Sequence, residues 1–314
     1  MLNDHLDAAG NQPFPGAVEK LLWTVRVTGV RQAGSWLDNE GVDPLHDPDD
    51  EALLDPRQAR DLAGLVETAR MSSAVIRYGL RTRVGAATVV LNQDNPLPTA
   101  NHAFGLWGTS AEVANTLLDL EQVFAEAGRD EALLYASPTT VSEIDGIADD
   151  TGWMAVEEQV ALVHRAGRGT SGRARPAEDR DLAEIAELIA DDAELPAEAE
   201  QRLLRNIGHR SDDPRCVFLV LDDPAADRIA GFAQGFVEHG VGLVEQVLVR
   251  PGRRRRGIGR ELVGETAHEL YARGALLIAA HSEQGSAVEA FADTCGFEAV
   301  YEVTAYARRV DELM

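Results

Sequence analysis

Lysine is almost missing from this chain: Lys20 stands alone, and every other basic residue besides histidine is arginine. That bias fits genome composition better than chemistry. Cysteine is scarce as well. Cys216 and Cys295 are too few for a disulfide framework and suit a reduced, cytoplasmic setting. No stretch approaches the ~20 consecutive apolar residues of a membrane helix. The opening MLNDHLDAAGNQ lacks the basic and apolar regions of a signal peptide. Positive charge is in deficit, with 29 Lys+Arg against 53 Asp+Glu and a net charge of −24. Such a surface repels phosphates and anionic head groups, so neither nucleic acid nor membrane is expected as a partner. The acid keeps the protein soluble. Where charge serves function, it suits a cationic small molecule or a basic peptide.

The 314 residues suffice for two domains, and 45% apolar residues can build ordinary cores. An internal repeat gives those domains a shape. Shifting the chain by 144 positions lays 99–165 on 243–309 without a gap. Gly108 then falls on Gly252, Leu118 on Leu262, Glu121 on Glu265 and Arg129 on Arg273. Leu133 meets Leu277, Ala136 meets Ala280, Gly152 meets Gly296 and Glu158 meets Glu302. The glycine-rich Arg165–Gly172 reads as a flexible connection. The expected organisation is a lead-in over 1–19, a first domain over 20–166, a linker over 167–172 and a second domain over 173–314. The run Asp38–Asp55, acidic and with two prolines, reads as a solvated loop.

The second half has the clearer pattern. Pro176 precedes a helical stripe of Leu182, Ile185, Leu188 and Ile189, and Pro196 opens another through Leu203, Leu204 and Ile207. Strand-like runs follow at 216–221, 229–237 and 241–249. Helical spacing returns with Ile258, Leu262, Ala267 and Leu270, then a buried strand at 275–280 and a helix at 287–294. Residues 297–308 make two short strands or one long one. The first half follows the same order less crisply, from Trp23-Thr-Val-Arg-Val to Val156-Glu-Glu-Gln-Val-Ala-Leu-Val163. The fold class is α/β, a mixed sheet flanked by helices.

The chemistry concentrates in Val247-Leu-Val-Arg-Pro-Gly-Arg-Arg-Arg-Arg-Gly-Ile-Gly-Arg260. A strand ends at Val249, turns at Pro251-Gly252 and enters a helix at Gly257. Glycines allow close approach of a ligand, and first-turn N–H groups with the helix dipole bind phosphate or pyrophosphate. Arg253 to Arg256 add cations able to bridge phosphate oxygens. A basic turn broken by glycine is the plain structural alternative, but strand, turn, Arg/Gly loop and helix together are more specific.

This stretch resembles the GNAT superfamily of N-acetyltransferases, whose signature here is V-x-P-x-x-R-G-x-G-[IL]-G around a core Q/R-x-x-G-x-G/A. The chain has Val249-Arg-Pro251-Gly-Arg-Arg254-Arg-Arg-Gly257-Ile-Gly259, departing at Arg255, where glycine is common. The resemblance covers 172–314 directly and 20–165 through the repeat. It implies two tandem domains of that fold, each a mostly antiparallel twisted sheet flanked by helices. It also implies acetyl-CoA as cosubstrate, with no metal, bound where the fold's fourth and fifth strands splay apart. The backbone of Val247, Leu248 and Val249 would hold the pantetheine arm. The loop of Arg254, Arg255, Arg256, Gly257, Ile258, Gly259 and Arg260 would cradle the pyrophosphate.

Glu245, four positions before Val249, lies on that residue's face by strand alternation and is the candidate for taking a proton from an attacking amine. Similar acetyltransferases carry E-x-x-x-V before the loop; an exposed strand glutamate is the plain alternative. Gln246 either bonds substrate or faces solvent on the opposite side. The family's frequent general-acid tyrosine has no counterpart, since Ala292 occupies its place. Tyr301, Tyr306, Ser286 or water remain as proton donors; His239 and His281 flank the expected substrate side and read as surface histidines rather than as participants.

The repeat puts Asn101 at the place of Glu245, and Ser110-Ala-Glu-Val-Ala-Asn115 at the place of Arg254–Gly259. The first half therefore resembles the degenerate domain of tandem members, keeping the scaffold without the phosphate loop and with Glu112 in its place. Asn101–Trp107 reads as a buried strand or an interface. The expected activity is transfer of an acetyl group from acetyl-CoA to a small-molecule or peptide primary amine, in the second half, within a monomer or homodimer. Two alternatives stand: an acetyl-CoA-sensing module without turnover, and a thiol-biosynthesis acetyltransferase resembling mycothiol synthase.

Overall fold

The computed structural model describes residues 54–165 and 172–310. The lead-in, the stretch Trp23–Val27, the acidic run up to residue 53 and most of the glycine-rich connection lie outside the described residues. The first described helix, α1 (Pro56–Ala74), starts where Asp55 accepts hydrogen bonds from the N–H groups of Arg57 and Gln58, with Pro56 in the first turn. It leads into β1 (Gly79–Val84), β2 (Ala87–Asn92) and the short β3 (His102–Phe104). Then come α2 (Ser110–Glu126), β4 (Glu131–Ala136), α3 (Ile144–Thr151) and β5 (Met154–His164).

The second half repeats this order after a two-residue edge strand, β6 (Arg175–Pro176). Its helices α4 (Leu182–Asp192) and α5 (Ala197–Ser211) precede β7 (Cys216–Asp222), β8 (Ile229–Glu238) and β9 (Val241–Val249). The chain closes with α6 (Ile258–Ala272), β10 (Leu277–Glu283), α7 (Ala287–Thr294) and β11 (Phe297–Arg309). Pro176 is thus part of an edge strand rather than of a first helical turn. A 3-10 turn at Asp179–Asp181 separates it from α4. Residues 297–309 form one long strand.

The 144-residue shift carries β5 onto β11, α3 onto α7 and α2 onto α6 to within a few residues. Gly152 and Gly296 show why the match persists there. Each follows the last turn of its helix at positive φ (77° and 85°), where a side chain would be strained.

All described strands join one sheet, ordered β1-β2-β3-β4-β11-β5-β10-β9-β8-β7-β6. Neither half completes its own sheet. The last strand of the second half, β11, pairs antiparallel with β4 of the first, and β5 pairs antiparallel with β10 of the second. The two exchanged strands also pair with each other. Gln159 faces Val303 in that pair, and the 144-residue shift interchanges them, so a pseudo-two-fold axis passes there. Most neighbours are antiparallel; β3–β4 and β9–β10 are parallel.

Three apolar layers hold the helices to this sheet. Leu117, Leu120 and Phe124 of α2 pack with Trp153, whose Nε1 donates to the buried Glu121. On one face of the second half, Leu262, Val263 and Leu270 of α6 meet Val217, Leu219 and Ile278. On the other face α1 crosses from the first half. Its Leu62 and Val66 share one cluster with Ile185 and Ile189 of α4, Leu203 of α5, and Phe232 and Phe236 of β8. Among the described residues no helix is long and apolar enough to cross a membrane.

The strand exchange makes a prediction. Residues 1–165 and 172–314, expressed separately, each lack the strand that covers their fourth-position edge. Neither should give a cooperative unfolding transition alone, and mixing them should restore one. Independent cooperative melting of both pieces by circular dichroism would contradict the interlocked sheet.

Candidate active site

Strands β9 and β10 pair only from Val241–Leu243 to Leu277–Ala279. Beyond that point β9 stays with β8 while β10 stays with β5, and a gap opens between them. The expected splay is therefore present, and Val247, Leu248 and Val249 border it with the backbone edge that β10 leaves unpaired.

A β-bulge sits at the start of the splay. Gln234 faces Gln246, but the next ladder pair is Gly235 with Val244, which leaves Glu245 as the extra residue. The bulge breaks the alternation on which the sequence argument relied. Val244, Val247 and Val249 pack toward α6, whereas Leu243 and Leu248 pack toward the α1–α4–α5 side. Glu245 bonds to α1 and α5, so its side chain lies on the face opposite Val249 rather than on the same one. Gln246 lines the same cavity as Glu245 rather than facing away.

Four side chains define the Glu245 site. Arg210 of α5 donates to its Oε2 at 2.5 Å, Gln234 donates to the same oxygen at 2.7 Å, and the Ser73 hydroxyl of α1 donates to Oε1. Arg210 also donates to the Ser73 carbonyl and hydroxyl, at 2.8 and 2.9 Å. Burial alone would lower the pKa of Arg210, but the facing Glu245 carboxylate holds it above its ordinary value. Close by, burial pushes the Cys216 thiol up to about 12, which keeps it protonated and unreactive.

Glu245 lies on the wall of a cavity of about 200 Å³. Both halves build it. The first contributes Arg70 and Ser73 of α1, the loop residues Asn95, Leu97 and Thr99, and Gln159 of β5. The second contributes α5, β8, β9 and the end of β10, including His281. An inner chamber with room for about one water adjoins it through Arg70 and His281, and Glu67, His102, Tyr135 and Tyr301 complete that chamber. His281 is thus a cavity residue, contrary to the surface role its sequence context suggested. His239 is a surface residue, 43% exposed in its side chain, in the β8–β9 turn.

Burial sets the protonation in this region. It raises the pKa of the Glu67 carboxyl, against hydrogen bonds from Ser137 and Thr139 and the charge of Arg70. It lowers His102 to about 3 and His281 well below 6.5, with Arg70 adding to both shifts.

At the outer end of β9, the chain turns through Pro251–Arg253 into α6. Gly257 caps the helix at φ 80° with no side-chain hydrogen bond, so the first-turn N–H groups of Ile258, Gly259 and Arg260 keep no cap acceptor. A Cβ at Gly259 would press on the Phe291 ring at 3.1 Å. The four arginines divide by role. Arg253 pairs with Asp223 at 2.6 Å and Arg254 donates to the Val249 carbonyl at 3.0 Å, so both brace the turn. Arg255 and Arg256 are exposed, and no described carboxylate pairs with them.

The first half differs at both places. At the start of α2 a capping box closes the helix: the Thr109 hydroxyl accepts from the Glu112 N–H, and the Glu112 carboxylate accepts from the Thr109 N–H at 2.8 Å. An anion there would compete with that carboxylate. Asn101, at the place of Glu245, accepts from the Asn92 N–H and donates to the Asn95 and Leu97 carbonyls, which staples the loop over the cavity. His102 to Phe104 form the buried strand expected of that stretch, while Trp107 is 52% exposed beneath the Arg60 guanidinium.

Of the candidate proton donors, Ser286 caps α7 and Tyr306 donates to Asp145. The Tyr301 hydroxyl is buried at the inner chamber and has no partner among the described residues. Sequence reasoning missed Ser282, a buried hydroxyl without a partner among the described residues, on β10 beyond the last β9–β10 pair. It also missed Arg210, Ser73, Gln234 and Arg70, which come together only in the fold. Their sole trace in the sequence is two arginines and a serine within helices and a glutamine within a strand.

The family model described as the acetyltransferase (GNAT) family matches residues 182–297, which include α4 through α7 and therefore the whole splay and loop. The chain carries a domain of that family. Among solved structures, it is similar to a GCN5-related N-acetyltransferase from Kribbella flavida, at 17% identity over 78% of this chain and 95% of that one, with a TM-score of 0.59. A GCN5-related N-acetyltransferase from Sphaerobacter thermophilus is similar at 16% identity, over 82% and 95%, with a TM-score of 0.52. A tandem GNAT protein from the clavulanic acid biosynthesis pathway shares 12% identity over 72% and 79%, with a TM-score of 0.50. These likenesses show the fold, two tandem GNAT-like halves. No curated protein matches the chain.

Two predictions follow from the buried charges. Arg210→Met strands Glu245 in a half-buried site and should cost about 3–5 kcal/mol, while Arg210→Met/Glu245→Leu should recover much of that loss. Denaturant unfolding measures both, and additive losses would deny the coupling. His102 is neutral when folded and protonated when unfolded below about pH 6.5. Wild type should therefore lose stability relative to His102→Asn as pH falls below 6.5, by up to about 1.4 kcal/mol per unit. Parallel curves for the two proteins between pH 7 and 5 would remove His102 from the account.

Proposed function

We propose that this protein is an acetyl-CoA-dependent N-acetyltransferase of a small primary amine, with its chemistry in the second half and its acceptor cavity closed by the first. One observation carries the reading: the β9–β10 gap joins two sites of different character. On the α6 side stands a helix N-terminus without a side-chain cap, flanked by Arg255 and Arg256, which pair with no carboxylate among the described residues. On the α1–α5 side lies a cavity walled by both halves, with Glu245 at its edge.

The backbone edge of Val247, Leu248 and Val249 suits the amide-bearing pantetheine arm. The N–H groups of Ile258, Gly259 and Arg260 with Arg255 and Arg256 suit the pyrophosphate. When bound, acetyl-CoA supplies the acetyl group as a reactive thioester. The chain's own residues bring the amine to the gap and remove its proton. Glu245 has four lone-pair sites and three donors, so one site stays open to a proton from the amine, direct or through water. Arg210, Ser73 and Gln234 hold that carboxylate at the bulge. Ser282, a buried hydroxyl on β10 beyond its last pair with β9, is our candidate to donate a proton to the departing thiolate. On this reading the first half binds no coenzyme, because Glu112 occupies its helix N-terminus.

The engagement of Glu245 by three donors, with alanine at 292, favours one second reading: binding of acetyl-CoA without turnover. Isothermal titration with acetyl-CoA and a thiol-release assay over an amine panel separate the two. Wild type should bind, and Gly257→Asp/Gly259→Asp should weaken binding at least about tenfold. Glu245→Gln should lower kcat by about 10²–10⁴ with binding retained. No binding by wild type would end both readings. Binding without thiol release would leave the second, and full activity of Glu245→Gln would remove the residue from proton transfer.

A further inference from the structure

We propose that the acceptor is amino-acid-like, an amine that also bears a carboxylate, and that Arg70 of the first half binds that carboxylate. The inference rests on the acetyltransferase reading and adds the acceptor's chemical class.

Arg70 lines both the main cavity and the inner chamber. Among the described residues no carboxylate forms an ion pair with it. Its guanidinium lies 4.8 Å over the Tyr135 ring. The other charges facing the cavity cancel, since Arg210 is paired with Glu245. In the inner chamber behind it, burial raises the Glu67 carboxyl, whose oxygens accept from Ser137 and Thr139, and lowers His102 and His281. The lining of the main cavity itself sets two guanidiniums, Arg70 and Arg210, against one carboxylate, Glu245, in a protein whose net charge is −24. An acidic surface suggested a cationic acceptor; the pocket wall has the opposite sign.

A second observation points to the same spot. The Tyr301 hydroxyl and His102 Nδ1 are buried in the inner chamber that Arg70 also lines, and neither has a hydrogen-bond partner among the described residues. That chamber has room for about one water, so a carboxylate would meet Arg70 from the main cavity, where arginine can bind a planar anion through two parallel hydrogen bonds.

Spacing and volume set the class. Ser73, which bonds Glu245, is three residues from Arg70 on α1, so the two side chains are neighbours about 5–6 Å apart at Cβ. One small molecule can reach both, its amine toward Glu245 and its carboxylate toward Arg70. The cavity, at about 200 Å³, is smaller than the ~300–1,000 Å³ of pockets for drug-sized ligands, which disfavours oligosaccharides and long peptides.

The test compares matched pairs: 4-aminobutanoate against butylamine, and each of the common amino acids against its amide. Acetyl transfer is followed as kcat/KM, and binding separately as a thermal shift with acetyl-CoA present. Wild type should favour carboxylate-bearing members of at least some pairs by tenfold or more. Arg70→Gln should bring that ratio near one, and Arg70→Lys should restore part of it. Equal rates within every pair, or a preference for the uncharged partner, would overturn the anchor and leave the transferase standing. Carboxylate binding lost in Arg70→Gln, without transfer by either protein, would keep the anchor and overturn the transferase. Neither binding nor transfer of any panel member would overturn the inference.

Discussion

The antiparallel pairing of β5 with β11 is the constraint from which the rest of the molecule follows. Each strand ends one half of the chain, and each is flanked by the other half's strands. Without that exchange there would be two open sheets, each with an unpaired edge and no reason to remain together. With it, α1 of the first half lies across the sheet of the second. The helix can then supply Ser73 to Glu245 and Arg70 to the cavity. The cavity beside Glu245 is an interface that the chain makes with itself.

The two halves show how one scaffold can carry opposite chemistry. Both place a helix N-terminus after a strand and turn. In α6 the cap position is Gly257, which brings no side-chain acceptor, and beside it Arg255 and Arg256 pair with no carboxylate among the described residues. In α2 the same end is closed by Thr109 and Glu112, which satisfy the donors internally and add a negative charge. The capped helix is the better-formed local structure, whereas the uncapped one keeps donors available for a ligand. Asn101 and Glu245 form a similar pair. One ties down a loop over the cavity, and the other is held at a bulge facing into it.

Much of this was legible in the sequence, for a physical reason. Periodicity, glycine punctuation and the repeat are local or translational properties, so β9, α7 and the loop at Gly257 could be placed closely. The strand exchange could not, because β5 and β11 have the same pattern whichever partner they choose. The bulge at Glu245 was equally hidden. Alternation assumes a regular ladder, and one extra residue reverses the face of everything beyond it. The ion pair with Arg210 joins residues on different elements, and no spacing along one element reveals it. His281 misled for a related reason: its own strand is short, and its burial comes from α1, supplied by the other half.

The strand order also says something about how the molecule comes into being. Pairing of Glu131 with Arg309 and of Ala136 with Thr304 joins parts of the chain far apart in sequence. Such contacts are slow to form, because a long loop must close before any of them stabilises the structure. During synthesis the first half emerges with β4 still lacking its neighbour, and it must wait for β11. The sheet that joins the two halves therefore cannot close until β11 has been made. A chain cut before β11 would carry the Gly257 loop intact and still leave β4 and β5 without the strand between them.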